Sequence, residues 1–173
     1  MRIDRAWAMP SAWTFTIKPI MNLLQDEGAV GLMKKGVWID PFAGMNSPAD
    51  ITNDINPKAN AKYHLDAIEF LKKQKSQEYD GALLDPPYSY RQVSEHHKAV
   101  GIKVTGWHTS SGWGKTIKDE ITRIVKPHGK VISFGWNSMG LGKNRGFVME
   151  RILLVAHGGG KNDTICTVEI KIA

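Results

Sequence analysis

The chain has 173 residues, 42% hydrophobic and 23% charged, ordinary figures for one folded domain that exclude disorder over most of its length. Its formal charge of +6 attracts phosphate, so nucleic acid is an expected partner, although a merely basic protein has the same balance. One cysteine, Cys166, excludes an intrachain disulfide; no run reaches the length of a membrane span and Met1 to Trp13 lacks a signal-peptide stretch, so a reducing, cytoplasmic setting is expected.

In chain order, Pro19 suits the first turn of a helix through Ile20 to Leu24, ending near Gly28. Val37-Trp38-Ile39 is a buried strand that ends at Asp40, and Pro41, Gly44 and Pro48 punctuate the next ten residues or so. Ile51-Thr52-Asn53 is a short strand ending at Asp54, and Lys62 to Leu65 a weak one. Asp66 caps a helix over residues 67–73, whose apolar positions recur at helical spacing. Gly81 to Leu84 is a buried strand that delivers Asp85 at its carboxyl end. Residues 116–126 read as an amphipathic helix with Ile117, Ile121, Ile124 and Val125 on one side, stopped by Pro127-His128-Gly129. Lys130 to Phe134 is a strand, and two closing runs, 147–156 and 164–172, form an antiparallel pair around a turn at Gly158-Gly159-Gly160. Cys166 lies within the last strand as a packed small hydrophobe.

Alternating strands and helices with apolar strands imply a mostly parallel α/β sheet. Ligands bind such sheets at the strand carboxyl ends, which puts Asp40, Asp54, Asp66 and Asp85 along one rim. The stretch Asp85-Pro86-Pro87-Tyr88 has a chemistry of its own. An amine on an aromatic ring is a poor nucleophile because its lone pair is delocalised. Asp85 can accept one N–H and the Pro86 carbonyl the other, on a loop stiffened by two prolines, while Tyr88 offers a flat face for a base. Stacking of that kind is worth roughly 1–3 kcal/mol.

These stretches resemble the DNA adenine-N6 methyltransferases of the Asp-Pro-Pro-Tyr type, particularly short phage or prophage members, over nearly the whole chain. Phe15 to Pro19 resembles their N-terminal cofactor segment, Asp40-Pro41-Phe42-Ala43-Gly44 their glycine-bearing motif, Asp54-Ile55-Asn56 and His64-Leu65-Asp66-Ala67 their next two, and Asp85 to Tyr88 the catalytic one. The resemblance implies a Rossmann-like class I methyltransferase sheet, twisted and mostly parallel with an antiparallel closing strand, in a single domain over residues 1–173. It implies S-adenosylmethionine (SAM) as cofactor, held by Phe15, Thr16, Lys18, Asp40, Pro41, Phe42, Gly44, Asp54, Asp66, Ala67 and Asp85. Asp54 would accept from the ribose hydroxyls and Asp66 from the adenine amine. The family's second motif glycine is replaced by Asn46, a residue that tolerates left-handed backbone.

Residues 89–115 mix basic, aromatic and glycine residues just after the catalytic loop, which suits DNA contact. Tyr88, Arg91, Gln92, Lys103 and Trp107 are the expected substrate contacts. A separate target-recognition domain is not expected within these 173 residues. Specificity is then relaxed, supplied by a partner or a second copy in a homodimer, or limited to this segment. No metal is expected: ligand pairs at zinc spacing do not recur, and His96-His97 read as exposed helix residues. The expected activity is site-specific methylation of adenine in double-stranded DNA. An RNA base-amine methyltransferase and a weakly active SAM or nucleic-acid binding module are the alternatives.

Overall fold

A computed structural model describes residues 1–87 and 89–172. Its single sheet has seven strands: β1 (Arg2–Trp7), β2 (Trp38–Asp40), β3 (Ile51–Thr52), β4 (Tyr79–Leu84), β5 (Val125–Gly135), β6 (Phe147–Ala156) and β7 (Thr164–Lys171). Their order across the sheet is β1-β6-β7-β5-β4-β2-β3. Only β7 runs antiparallel, paired to β5 on one side and β6 on the other. This is the Rossmann-like class I methyltransferase fold that the sequence implies.

Among the described residues four helices flank the sheet: α1 (Lys18–Asp26), α2 (Ala67–Lys72), α3 (Tyr90–Ala99) and α4 (Ser111–Ile124). The strands point alternate residues to opposite faces, so the core is double. Ile39, Ala82, Leu84 and Val131 pack against α2 and α4, while Trp38, Leu83, Ile132 and Phe134 pack against Ile20, Leu23 and Leu24 of α1. Among the described residues no helix is long and apolar enough to cross a membrane.

The elements differ from expectation in four places. β1 is an additional edge strand, parallel to β6. Lys62 to Leu65 makes no strand; Tyr63 forms one isolated bridge to Asn53. Helix α4 begins at Ser111, five residues ahead of the expected start, because Trp113 continues the buried stripe of Ile117, Ile121 and Ile124. Pro127-His128-Gly129 does not follow the helix as a stop but lies within β5, where His128 takes a positive φ of 62° and the pairing with β4 shifts register.

One close approach fixes the seam between β2 and β4. Trp38 lies opposite Gly81, and a Cβ on Gly81 would meet the Trp38 ring at 2.5 Å. Trp38 is buried and its indole N–H donates to the Lys35 carbonyl at 2.9 Å, so the ring has no room to retreat. Gly81→Ala is therefore expected to lower stability by about 1–3 kcal/mol, the usual range for overpacking, as read by chemical denaturation.

Candidate active site

The carboxyl ends of β2, β3 and β4 converge on one cavity of about 230 Å³. Its floor is the loop after β2: Pro41, Phe42, Ala43 and Gly44, with Met45 and Asn46 beyond. Gly44 has φ 56°, and a Cβ there would meet nothing within 4 Å, so the loop turns away at Gly44 and leaves open space beside it. Asn46 does not take a left-handed conformation, so the missing family glycine imposes no backbone strain.

Three carboxylates line this cavity: Asp54, Asp66 and Asp85. Asp54 accepts from Gly44 N–H and Asn56 N–H, both at 2.8 Å, which clamps the glycine turn to the end of β3. Asp66 caps α2 as its sequence position implies, its Oδ1 accepting from Ile68 N–H at 2.9 Å and Glu69 N–H at 3.2 Å. Asp85 follows β4 directly, and Pro86 and Pro87 continue the wall.

Asp40, expected on the rim, is instead a buried peg beneath the floor. Its carboxylate accepts from Phe42 N–H at 2.8 Å and from the Ser47 hydroxyl at 2.6 Å, tying both ends of the loop to β2. Burial pushes its carboxyl up to about 7 against those two hydrogen bonds, and the nearby charges of Asp85 and Asp54 add to the rise.

Asn53, which no sequence motif singles out, is fully buried and hydrogen-bonded at every polar group. Its side-chain amide donates to the Pro41 carbonyl at 3.2 Å and the Leu65 carbonyl at 3.0 Å, and its Oδ1 accepts from Leu65 N–H at 2.9 Å. Its backbone N–H donates to the Asp40 carbonyl and its own carbonyl accepts from Ala43 N–H, both at 2.9 Å. One residue thus joins the floor loop, the end of β3 and the approach to Asp66.

Phe15 forms part of the wall, with Trp13 and Thr14, whereas Thr16 and Lys18 are exposed and do not line the cavity. Ala67 and Gln92 line it; Arg91 is exposed and pairs with Glu95 at 2.7 Å. Lys103 and Trp107 are exposed away from the cavity. Tyr88 lies outside the described residues. His96 is exposed at the cavity, but His97 corrects the expectation of a solvated pair: it lies one turn after Val93 on the buried face of α3. Asp66, His97 and His108 bring ligand atoms within 4.8 Å of one another, a cluster that sequence spacing did not announce.

Trp113 closes the inner wall, buried, with no hydrogen-bond partner for its indole N–H among the described residues. Behind it and the two prolines is a second, largely apolar cavity of about 380 Å³, bounded by Leu84, Val93 and Ile117. Pro86, Pro87 and Trp113 belong to both cavities.

Solved structures share this Rossmann-like class I fold. The chain is similar in structure to TrmN from Thermus thermophilus, with TM-score 0.57 and 16% identity over 90% of this chain and 49% of that one. A 1,6-didemethyltoxoflavin-N1-methyltransferase from Burkholderia thailandensis, solved with its substrate and S-adenosylhomocysteine, matches with TM-score 0.58 and 12% identity over 90% of this chain and 78% of the other. The putative methyltransferase yhhF from Escherichia coli matches with TM-score 0.57 and 11% identity over 95% and 92%. The chain spans about half the length of TrmN, and at these identities the likeness is one of fold. No family model and no curated protein matches the sequence.

Two substitutions test the pegs of the site. The carboxyl of Asp40 titrates near 7 when folded against 3.8 when free. The protonated form is therefore favoured by folding, and that contribution is complete below 3.8 and is lost as the pH climbs through about 7. At about 1.4 kcal/mol per unit, the loss is on the order of a few kcal/mol. Asp40→Asn should flatten the fall in stability between about pH 4 and 7, measured as melting temperature against pH. Asn53→Ala strands three backbone groups, Pro41 O, Leu65 N–H and Leu65 O, each bonded to that side chain. The expected loss is about 3 kcal/mol or more by chemical denaturation.

Proposed function

We propose that the protein transfers a methyl group from SAM to the exocyclic N6 amine of adenine in double-stranded DNA, on a base flipped out of the helix. The observation that carries this reading is the placement of Pro86 and Pro87, which form a wall common to a carboxylate-lined cavity and an apolar one. A methyl donor in the first and a flat base in the second would meet at Asp85-Pro86-Pro87.

The first cavity has the chemistry that SAM asks for. Each carboxylate oxygen has two lone pairs, so Asp54 and Asp66, both lining the cavity, keep acceptor capacity after their backbone bonds, suited to ribose hydroxyls and an adenine amine. Three carboxylates favour a cationic ligand, and Phe15 and Phe42 supply apolar walls. Bound there, SAM supplies an electrophilic methyl on a sulfonium sulfur. Asp85 would accept one N–H of the target amine and the Pro86 carbonyl the other, turning the nitrogen lone pair out of conjugation with the ring. Trp113 would offer its unpaired N–H to a ring acceptor, and Tyr88 a stacking face.

Nucleic acid as the substrate is supported by the net charge of +6 and by the exposed Arg91, Lys98, Lys103 and Lys115 that follow the catalytic loop. The test is incubation of labelled SAM with double-stranded DNA, single-stranded DNA and RNA, followed by nucleoside analysis. N6-methyladenine in duplex DNA is expected. Asp85→Ala should lower transfer by about 10²–10³-fold or more while calorimetric SAM affinity stays within a few-fold. Label in RNA alone would move the substrate to RNA; SAM binding without transfer to any polymer would leave a binding module. Equal transfer by wild type and Asp85→Ala would overturn the mechanism.

A further inference from the structure

The geometry points to a divalent-metal site of the zinc class at Asp66, His97 and His108, beside the cavity that the proposed function gives to SAM. The side chain of His97 is 5% exposed and its Nε2 has no hydrogen-bond partner among the described residues. Its Nδ1 lies 2.8 Å from the Val93 carbonyl, an acceptor only, so Nδ1 carries the proton and Nε2 presents a lone pair. A backbone carbonyl behind one ring nitrogen is the usual support for a histidine that binds metal through the other.

The other two ligands face that lone pair. Capping α2 uses Oδ1 of Asp66, and its Oδ2 lies 3.8 Å from His97 Nε2. This is close to the roughly 3.3–3.5 Å edge of a tetrahedral zinc site with bonds of about 2.0–2.2 Å. The His108 ring centroid is 4.6 Å from that of His97. Thr105 holds His108 Nδ1, with its N–H at 3.1 Å and its Oγ1 at 2.9 Å, which leaves Nε2 as the ligand nitrogen. In the structure Nδ1 accepts from Thr105 N–H; on binding, the ring proton of His108 moves from Nε2 to Nδ1, Thr105 Oγ1 accepts it, and the exposed Thr105 N–H is released to water. Two imidazoles and one carboxylate favour zinc or a similar borderline ion over calcium or magnesium, and the fourth position opens to the cavity for water.

The ion would join three segments that are far apart in sequence: the start of α2, the inner face of α3, and the connection that leads into α4. It would also occupy the one Asp66 oxygen that capping leaves over. Metal and SAM are therefore mutually antagonistic, a consequence that rests on the cofactor reading and, by linkage, has the same magnitude in both directions.

Isothermal titration of the tag-free, chelator-treated protein with zinc sulfate tests the site. One ion per chain is expected at micromolar dissociation constant or tighter, weakened at least tenfold in His97→Ala and in His108→Ala, each checked for folding by circular dichroism. His128→Asn, at an exposed histidine far in sequence, should bind as wild type. SAM titrated with zinc present should bind at least tenfold more weakly than without it. Zinc binding without any SAM binding would support the site and strike only the cofactor reading. No zinc binding in the micromolar range, or binding unchanged in both histidine variants, would overturn it. So would a loss of SAM affinity in His97→Ala with no zinc bound by wild type, which would make His97 an acceptor for the cofactor instead.

Discussion

The rim of the sheet depends on the buried amide of Asn53. Two N–H groups and one carbonyl oxygen on that side chain satisfy three backbone groups from two loops that otherwise have no ladder to join. A primary amide is the one side chain of this size that can donate twice and accept at once. Asp54 follows it in sequence, and Asp66 follows the Leu65 that it grips. The spacing of these two carboxylates across the cavity is thus set by one residue that never faces the cavity.

The need for such a knot comes from the connection between β2 and β3. No helix forms within residues 41–50. Side chains do that work instead: Asp40 holds Phe42 N–H and Ser47 from below, and Asp50 accepts from Trp38 N–H at 2.8 Å while pairing with Lys34. Asp40 is the strained member of this set, because burial opposes the charge that its hydrogen bonds favour. A loop held by side-chain pegs can leave its Gly44 turn open on the ligand side, where a helix would have filled the space.

The features legible in the sequence came from local pattern. Apolar runs ending in Asp gave β2, β3 and β4 and their carboxyl-end acids, and Asp66 with the helical spacing after it gave the α2 cap. Three features were not legible. β1 carries Arg2, Asp4 and Arg5 among its apolar residues, and it pairs only as an edge, helped by the Arg151–Asp4 ion pair at 2.7 Å across 147 positions of sequence. Glycines on both sides of Trp113 read as loop, although its spacing from Ile117 marks the buried face of α4. The burial of His97 depends on α3 lying against Trp113 and Asp66, contacts that no local pattern carries. For the same reason, resemblance placed Asp40 at a ligand, while only the packed loop reveals it as a support.

Charge of both signs is divided by depth. The chain is positive overall, yet the carboxylates of Asp54, Asp66 and Asp85 converge in the cavity. In the proposed function this division sorts one polymer into two parts. Phosphates are drawn to the lysines and arginine around the catalytic loop and repelled by the acids within. A neutral base edge instead would bring its amine to Asp85 and the Pro86 carbonyl and a ring acceptor to the Trp113 N–H. The acidic interior thereby discriminates against the backbone of the molecule that the basic exterior attracts, and only a base turned out of its stack satisfies both surfaces at once.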